Sequence, residues 1–323
     1  MIDIDEPIVS THDYRDHYAG LPVVYAPGPE TGKDKELPDP ASVAWRIEGS
    51  EWGDDVDIVI ADHFNRFLER VDTTRVRAIV IGHWQDCYET DSSDIVEMLA
   101  GNASRLPALR ALFLGAITPD ESEISWIQQS DITPLLTAFP KLERLDVRGG
   151  SGARLTPVRH ESLRMLRFES GGLGGELVRA LSACDLPALE RLDVWLGVEN
   201  YGGDATVADL AGILSGERLP ALRHLGLQNS EIQDEIAAAV AAAPIVARLE
   251  SLSLSMGVLT DVGAEALLSG QPLTHLSRLD LRHHFLTGSM MTRVPALLPG
   301  LTVDLDDSEL QSGEDWLYTA VNE

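Results

Sequence analysis

The sequence predicts an α/β chain with parallel strands on one face and helices on the other. Three observations predict it. Between Leu219 and Leu286 one phrase occurs three times, LPALRHLGLQNSEI, VARLESLSLSMGVL and LTHLSRLDLRHHFL. Each copy sets leucine, two variable residues, leucine, one variable residue, leucine. A stretch with helical apolar period follows, as in DEIAAAVAAA and DVGAEALLSG. Prolines 107, 140, 187, 220, 244, 272 and 299 fall after those stretches or just before the leucine phrases, where a helix must end. A repeat of this kind decides the architecture before any local reading.

Residues 1–41 stand outside the repeat. Within them Leu21 to Ala26 reads as an edge strand, and Ala26 to Pro40 as a linker rich in proline, glycine and charge. Ser42 to Ile47 reads as a capping strand with Trp45 and Ile47 inward. A helix over Ala61 to Val71 leads to a strand over Val76 to Gly82. The leading leucines of the next units are Leu109, Leu142, Leu163, Leu189, Leu222, Leu249 and Leu276, spaced by about 21 to 33 residues. Val303 and Leu305 fit one unit later, which gives about ten strands with the cap. Asp234 and Asp261 stand at expected helix N-caps. Strands pack at about 4.8 Å and helices at about 8–10 Å, so the array is expected to curve. The period therefore predicts a leucine-rich-repeat solenoid over residues 42–306, a horseshoe arc with strands concave and helices convex. Leu225, Leu227, Leu252, Leu254, Leu279 and Leu281 are its expected core. An acidic tail, 307–323, closes the chain.

The wording LGLQNSEIQDE and LTDVGAEALL resembles the ribonuclease-inhibitor type of leucine-rich repeat. The segments SVAWRI, ALFLG, SWIQQSDITPLL, VRHESLR, YGGDATVADL and LTHLSRLDLRHHFL resemble an uncharacterised bacterial leucine-rich-repeat family, over roughly residues 20 to 305. Members of that family tend to be encoded beside radical-SAM and ATP-grasp-like enzymes. The resemblance implies an accessory role in a modification or biosynthetic pathway. The irregular spacing, and the frequent lack of asparagine after the third leucine, depart from the ribonuclease-inhibitor pattern.

Charge narrows the partners. The 323 residues carry 52 acidic against 25 basic side chains, a formal charge of −27. Such a field repels phosphate backbones and anionic lipid heads, so neither nucleic acid nor membrane is an expected partner. No apolar run is long enough for a transmembrane helix. MIDIDEPIVS lacks the basic-then-apolar order of a secretory signal, and Cys87 and Cys184 make no disulfide framework. A cytoplasmic protein is expected.

Several motifs touch chemistry and fall short. GPETGKD, Gly28 to Asp34, is one residue short of a phosphate loop and has aspartate after its lysine. GGLGGE, Gly171 to Glu176, lacks the dinucleotide spacing and reads as a tight turn into a helix. GGSGA, Gly149 to Ala153, only approaches a nucleophile elbow around Ser151, and no acid is placed to orient His160. His83, Asp86 and Cys87, and the pair His283 and His284, lack zinc spacing. No catalytic residue, cofactor or metal is expected.

Binding is the more promising chemistry. Alternation puts Arg144, Asp146 and Arg148, then Met165, Arg167 and Glu169, then Arg191, Asp193 and Trp195, on the face away from the helices. Stacked in register they form the rows Asp146–Arg167–Asp193 and Arg148–Glu169–Trp195. Such rows serve either as a self-satisfied charge ladder or as a recognition surface. Two insertions, Gly115 to Asp131 with Trp126 and Leu196 to Thr206 with Tyr201, are expected on one rim. The same face offers Ala78, Val80, Ala111 and Phe113 early, and His224, Gln228, Ser251, Ser253 and Ser255 late. The expected function is a non-enzymatic module that binds a protein or peptide, with a hot spot at Trp195, Arg167 and Arg191. The rivals are a hydrolase at the insertion rim and a purely structural subunit of an enzyme complex.

Overall fold

The structure is a computed structural model that describes residues 2–4, 16–28, 31–32, 36–49, 59–312 and 316–322. Among these, twelve strands follow one another in sequence order in a mostly parallel sheet, with eight α-helices between them. The chain divides into two compact units, Met1–Leu166 and Arg167–Glu323.

In the first unit β1 (His17–Tyr18) and β2 (Leu21–Tyr25) form an antiparallel hairpin. Its turn, Ala19 and Gly20, is left-handed at φ 55° and 75°. Strands β3 (Ala44–Ile47), β4 (Ala78–Ile81), β5 (Ala111–Leu114) and β6 (Arg144–Arg148) continue in parallel from β2. The edge strand expected at Leu21 is therefore present, and β1 lies beyond it. These two raise the expected ten strands to twelve. Helices α1 (Ile60–Arg70), α2 (Ser93–Gly101) and α3 (Thr133–Ala138) alternate with the strands.

Period-2 alternation gives the first unit's sheet two distinct faces. The Trp45 ring meets Phe67 of α1 at 5.7 Å between centroids, which marks the helix side. Ile79, Leu112 and Leu145 share its register there. On the opposite face Ala44, Ala78 and Ala111 form one row, and Arg46, Val80 and Phe113 the next. Ile2, Ile4, Tyr18 and Ala19 pack onto that second face in one buried cluster with Ala44, Ala78, Val80, Ala111, Phe113, Ala116 and Met165. Burial of each isoleucine contributes about 1.5–3 kcal/mol.

Strand β7 (Met165–Glu169) spans the division. The second unit then runs α4 (Gly175–Ala183), β8 (Arg191–Gly197), α5 (Ala211–Ser215), β9 (His224–Ser230), α6 (Gln233–Ala241) and β10 (Ser251–Ser253). It ends with α7 (Asp261–Ser269), β11 (Arg278–Asp280), α8 (Gly288–Leu297) and β12 (Thr302–Asp304). Strands β8 to β12 are parallel, and Leu192, Leu225, Leu252, Leu279 and Val303 lie in one register row. All six leucines expected in the core are at most 1% exposed.

Two features tie neighbouring strand–helix units together. Asp234 and Asp261 are not N-caps of their own helices, whose caps are Ile232 and Thr260. Each carboxylate reaches the start of the next helix instead. Asp234 accepts from the Thr260 amide at 2.8 Å and hydroxyl at 2.5 Å, and from the Gly263 amide at 3.1 Å. A Cβ at Gly263 would lie 2.4 Å from that carboxylate, so only glycine fits. Asp261 accepts from Thr287 in the same way. The second feature is the chain end. Residues 316–322 run across the left-handed turns at Asn229, Met256 and His283, whose φ values are 53°, 69° and 54°. Val321 exchanges two hydrogen bonds with the Asn229 amide, Ala320 donates to Met256 O, and His283 Nε2 meets Tyr318 O at 3.0 Å.

Leu252 is fully buried in the middle of the leucine row. Leu252→Ala is expected to destabilise the fold by about 2–5 kcal/mol, read from the shift in chemical denaturation.

Candidate functional site

On the face away from the helices several arginines pair with the acid two residues along their own strand. Residues i and i+2 share a face, and an arginine lying along the strand brings its Nε to the neighbouring acid. Arg144 Nε meets Asp146 Oδ2 at 2.7 Å, Arg191 Nε meets Asp193 Oδ2 at 2.7 Å, and Arg46 Nε meets Glu48 Oε2 at 2.5 Å. Arg282 Nε meets Asp280 Oδ1 at 3.0 Å, and Arg167 Nη1 lies 3.7 Å from Glu169. The expected cross-strand pair of Arg167 and Asp193 stands with Nη2 3.8 Å from Oδ2.

The exposure expected of these residues needs correction. Arg144, Asp146, Arg148, Arg167, Glu169, Asp193 and Trp195 are all buried. In the first unit the cover comes from the chain itself. The Arg144 guanidinium stacks over the Tyr18 ring at 4.7 Å and donates to Asp3 O at 3.0 Å. Tyr18 OH donates to Asp146 Oδ2 at 2.9 Å. Arg148 Nη1 donates to Ile117 O at 2.6 Å, within the Gly115 to Asp131 insertion. The apolar patch of Ala78, Val80, Ala111 and Phe113 is likewise covered, by Ile2, Ile4 and Tyr18. Sequence alternation shows which face a side chain takes. It does not show what lies on that face.

The second unit presents a polar lattice over β8 to β12. One register row is Arg191, His224, Ser251, Arg278 and Thr302, and the next is Asp193, Gly226, Ser253, Asp280 and Asp304. His224 Nε2 meets Asp193 Oδ1 at 2.9 Å, and His224 Nδ1 meets Ser251 Oγ at 2.7 Å. Burial alone would raise the Asp193 pKa. Arg191, His224 and Arg167 together outweigh it and hold the carboxyl far below the usual range. An ionised Asp193 accepts from His224 Nε2–H, and Nδ1 on the other side of the ring lies against the Ser251 hydroxyl. That is the order of a general-base relay, absent from the sequence reading because its members lie on three different strands. The Ser251 amide is committed to Arg223 O at 3.1 Å, so it is spent as an oxyanion donor. The relay fixes the orientation of His224 on the sheet.

Arginine is the more exposed partner in each outer pair of this lattice. Side-chain exposures are 18% for Arg191 against 1% for Asp193, and 40% for Arg282 against 10% for Asp280. Arg278 stands at 51% against 19% for Asp304. The acids act as pedestals and the guanidinium groups face solvent.

The rim residues divide. Trp126 is 53% exposed, on an insertion whose Ile124 and Ile127 are buried. Tyr201 is half-buried, and its insertion packs so closely that a Cβ at Gly172 would lie 2.1 Å from Tyr201 O. Within GGLGGE, close backbone approach accounts for Gly172. Ser151 Oγ donates to Gln128, while His160 meets Phe139 O and accepts from the Leu163 amide, so each is engaged elsewhere. In the phosphate-loop look-alike, residues 29, 30, 33 and 34 lie outside the described residues. Among the described residues no cluster of three or more potential ligands suits a metal ion, and no helix is long and apolar enough to cross a membrane.

Two expectations follow. Trp195 is 1% exposed, and its Nε1 has no acceptor among the described residues. Trp195→Ala is therefore expected to cost about 3–5 kcal/mol of stability, read by thermal and urea melts. The second concerns pH. Burial lowers the pKa of His160 and of His284, so both are neutral in the fold, whereas the unfolded chain takes up protons near pH 6.5. Their stabilisation is complete above that value and is lost as pH falls below it. The melting temperature is expected to drop from about pH 7 to about pH 5, with a flatter profile in the His160→Gln, His284→Gln double variant.

Comparison with known proteins adds one likeness. No protein-family model matches the chain, and no curated protein matches it. Among solved structures it is similar to a Bacteroides fragilis protein whose crystal structure was determined as a structural-genomics target. The two are 31% identical with a TM-score of 0.71, over 78% of this chain and 70% of that one.

Proposed function

The chain belongs to the same family as that Bacteroides fragilis protein, and from this premise we propose that it is a leucine-rich-repeat arc serving as a non-enzymatic interaction module for a protein or peptide. The parallel register of Leu192, Leu225, Leu252, Leu279 and Val303, one per strand, supports the repeat reading. One observation carries the binding reading: in the outer pairs of the second unit's lattice the arginine is the more exposed partner and the acid the more buried one. Arginine held by a pedestal is pre-organised, loses little entropy on contact, and is a frequent anchor of interfaces.

The partner chemistry follows from the donors. Guanidinium edges at Arg191, Arg278 and Arg282, beside His224 and Ser251, suit carboxylates and backbone carbonyls of a protein chain. The remaining surface of a chain with net charge −27 repels an acidic partner, which steers it to this row. The resemblance to a bacterial family encoded beside radical-SAM and ATP-grasp-like enzymes supports an accessory role in a cytoplasmic modification or biosynthetic pathway.

The test is affinity purification followed by mass spectrometry, with the Arg278→Glu, Arg282→Glu double variant beside the wild type. Partner recovery is expected to fall at least tenfold. Asp280 is buried and loses its partner in this variant, so the melting temperature is expected to fall, and recovery is compared where circular dichroism shows both proteins folded. Undiminished recovery on the folded variant places the interface away from this row.

A further inference from the structure

Residues 2–4 touch the first unit as an extended peptide ligand would. The face they cover has Ala44, Ala78 and Ala111 in one register row, a shallow floor bordered by Val80 and Phe113. Ile2 and Ile4 are buried on it, while Asp3 between them is exposed. That alternation belongs to an extended segment. The backbone between the isoleucines is read on both sides. Asp3 N–H donates to Ala19 O at 3.2 Å, and Asp3 O accepts from Arg144 Nη1 at 3.0 Å. Tyr18 closes the end of the groove, its ring 5.8 Å from Phe113 and its hydroxyl on Asp146. The contact includes two aliphatic side chains, two backbone hydrogen bonds and an exposed acid.

We propose that this face is a binding groove for an extended peptide of the pattern aliphatic–acidic–aliphatic on a partner protein, and that Ile2–Asp3–Ile4 fills it in cis as a competing pseudo-ligand. The groove is built from first-unit residues and shares none with the arginine row, so either surface can fail while the other stands. The physics of competition is direct. A short tether holds the cis segment at an effective concentration in the millimolar range. A partner peptide then binds with its intrinsic affinity multiplied by the fraction of molecules whose groove is vacated. The alanine floor gives the groove its selectivity, since larger side chains there would fill the space that the isoleucines take.

The experiment uses full-length protein and a fluorescein-labelled synthetic peptide, MIDIDEPIVS, followed by fluorescence anisotropy. The Ile2→Asp, Ile4→Asp variant removes the cis ligand without altering the groove. It is expected to bind the peptide at least tenfold more tightly than the wild type. A control peptide carrying the same two substitutions should bind neither protein. Circular dichroism checks folding, and Ile4→Ala, with an expected gain of at least threefold, serves if the double variant does not fold. A folded variant that binds the peptide no better than the wild type overturns the proposal. Failure of both variants to fold also overturns it, because residues 2–4 would then be core and not ligand.

Discussion

A parallel ladder with one leucine per strand turned to the helices leaves every alternate residue on the opposite face. That constraint shapes both units. Helices bury Leu192, Leu225, Leu252 and Leu279 because each strand returns through a helix on the same side. Nothing in the repeat itself covers the other face. The first unit covers it with its own chain, Ile2, Ile4 and the β1 hairpin over alanines and Phe113. The second unit leaves a polar surface and satisfies it locally, with arginine beside acid on the same strand and His224 bridging Asp193 to Ser251.

Pairing along the strand has energetic consequences. A buried Arg–Asp pair loses the hydration of both charges, and its net contribution to stability is small or unfavourable against an apolar replacement. Removal of one member, by contrast, strands a buried charge. The Arg144–Asp146 pair lowers that cost with added partners, the Tyr18 hydroxyl and ring and the Asp3 carbonyl. Asp193 gathers Arg191, Arg167 and His224 around a single carboxylate. Since i and i+2 pairs move with their own strand, they add little to register. Register rests on the leucine rows and on carboxylates such as Asp234 and Asp261, which join the start of one helix to the next.

The fold was legible in the sequence because its cause is periodic. Leucine spacing gave the strands from Ala78 onward, the helices between them and the leucine core, and proline placement gave the helix ends. What the sequence did not show depends on contacts between distant residues. His17 and Tyr18 carry no strand pattern, and β1 exists because Asp146 and Arg144, far along the chain, bind Tyr18. Asp234 looks like a cap for its own helix, and only the approach of Thr260 and Gly263 redirects it. The candidate site divides along the same line. Alternation placed Arg191, Asp193 and His224 on the correct face, and the leucine phrase aligns His224 with Ser251, but the relay also needs the side-chain rotamers that bring His224 to both partners, which no local pattern encodes. Exposure was misjudged for Trp195 and Arg144 because alternation carries no information about cover.

Why a chain would leave one face covered by itself and another polar follows from solubility as much as recognition. An uncovered row of alanine, valine and phenylalanine would be a contiguous apolar patch of the kind that drives association. The Ile2–Ile4 segment covers it, and under the proposal above a competitor of the same pattern would displace that segment. A pedestal of buried acids under exposed arginines takes the opposite course. It keeps the surface wet and positions each guanidinium so that few rotamers are lost when an acceptor arrives. On the proposed reading both devices prepare a sheet face for a chain that is not a neighbouring helix. In the first unit that chain is already present.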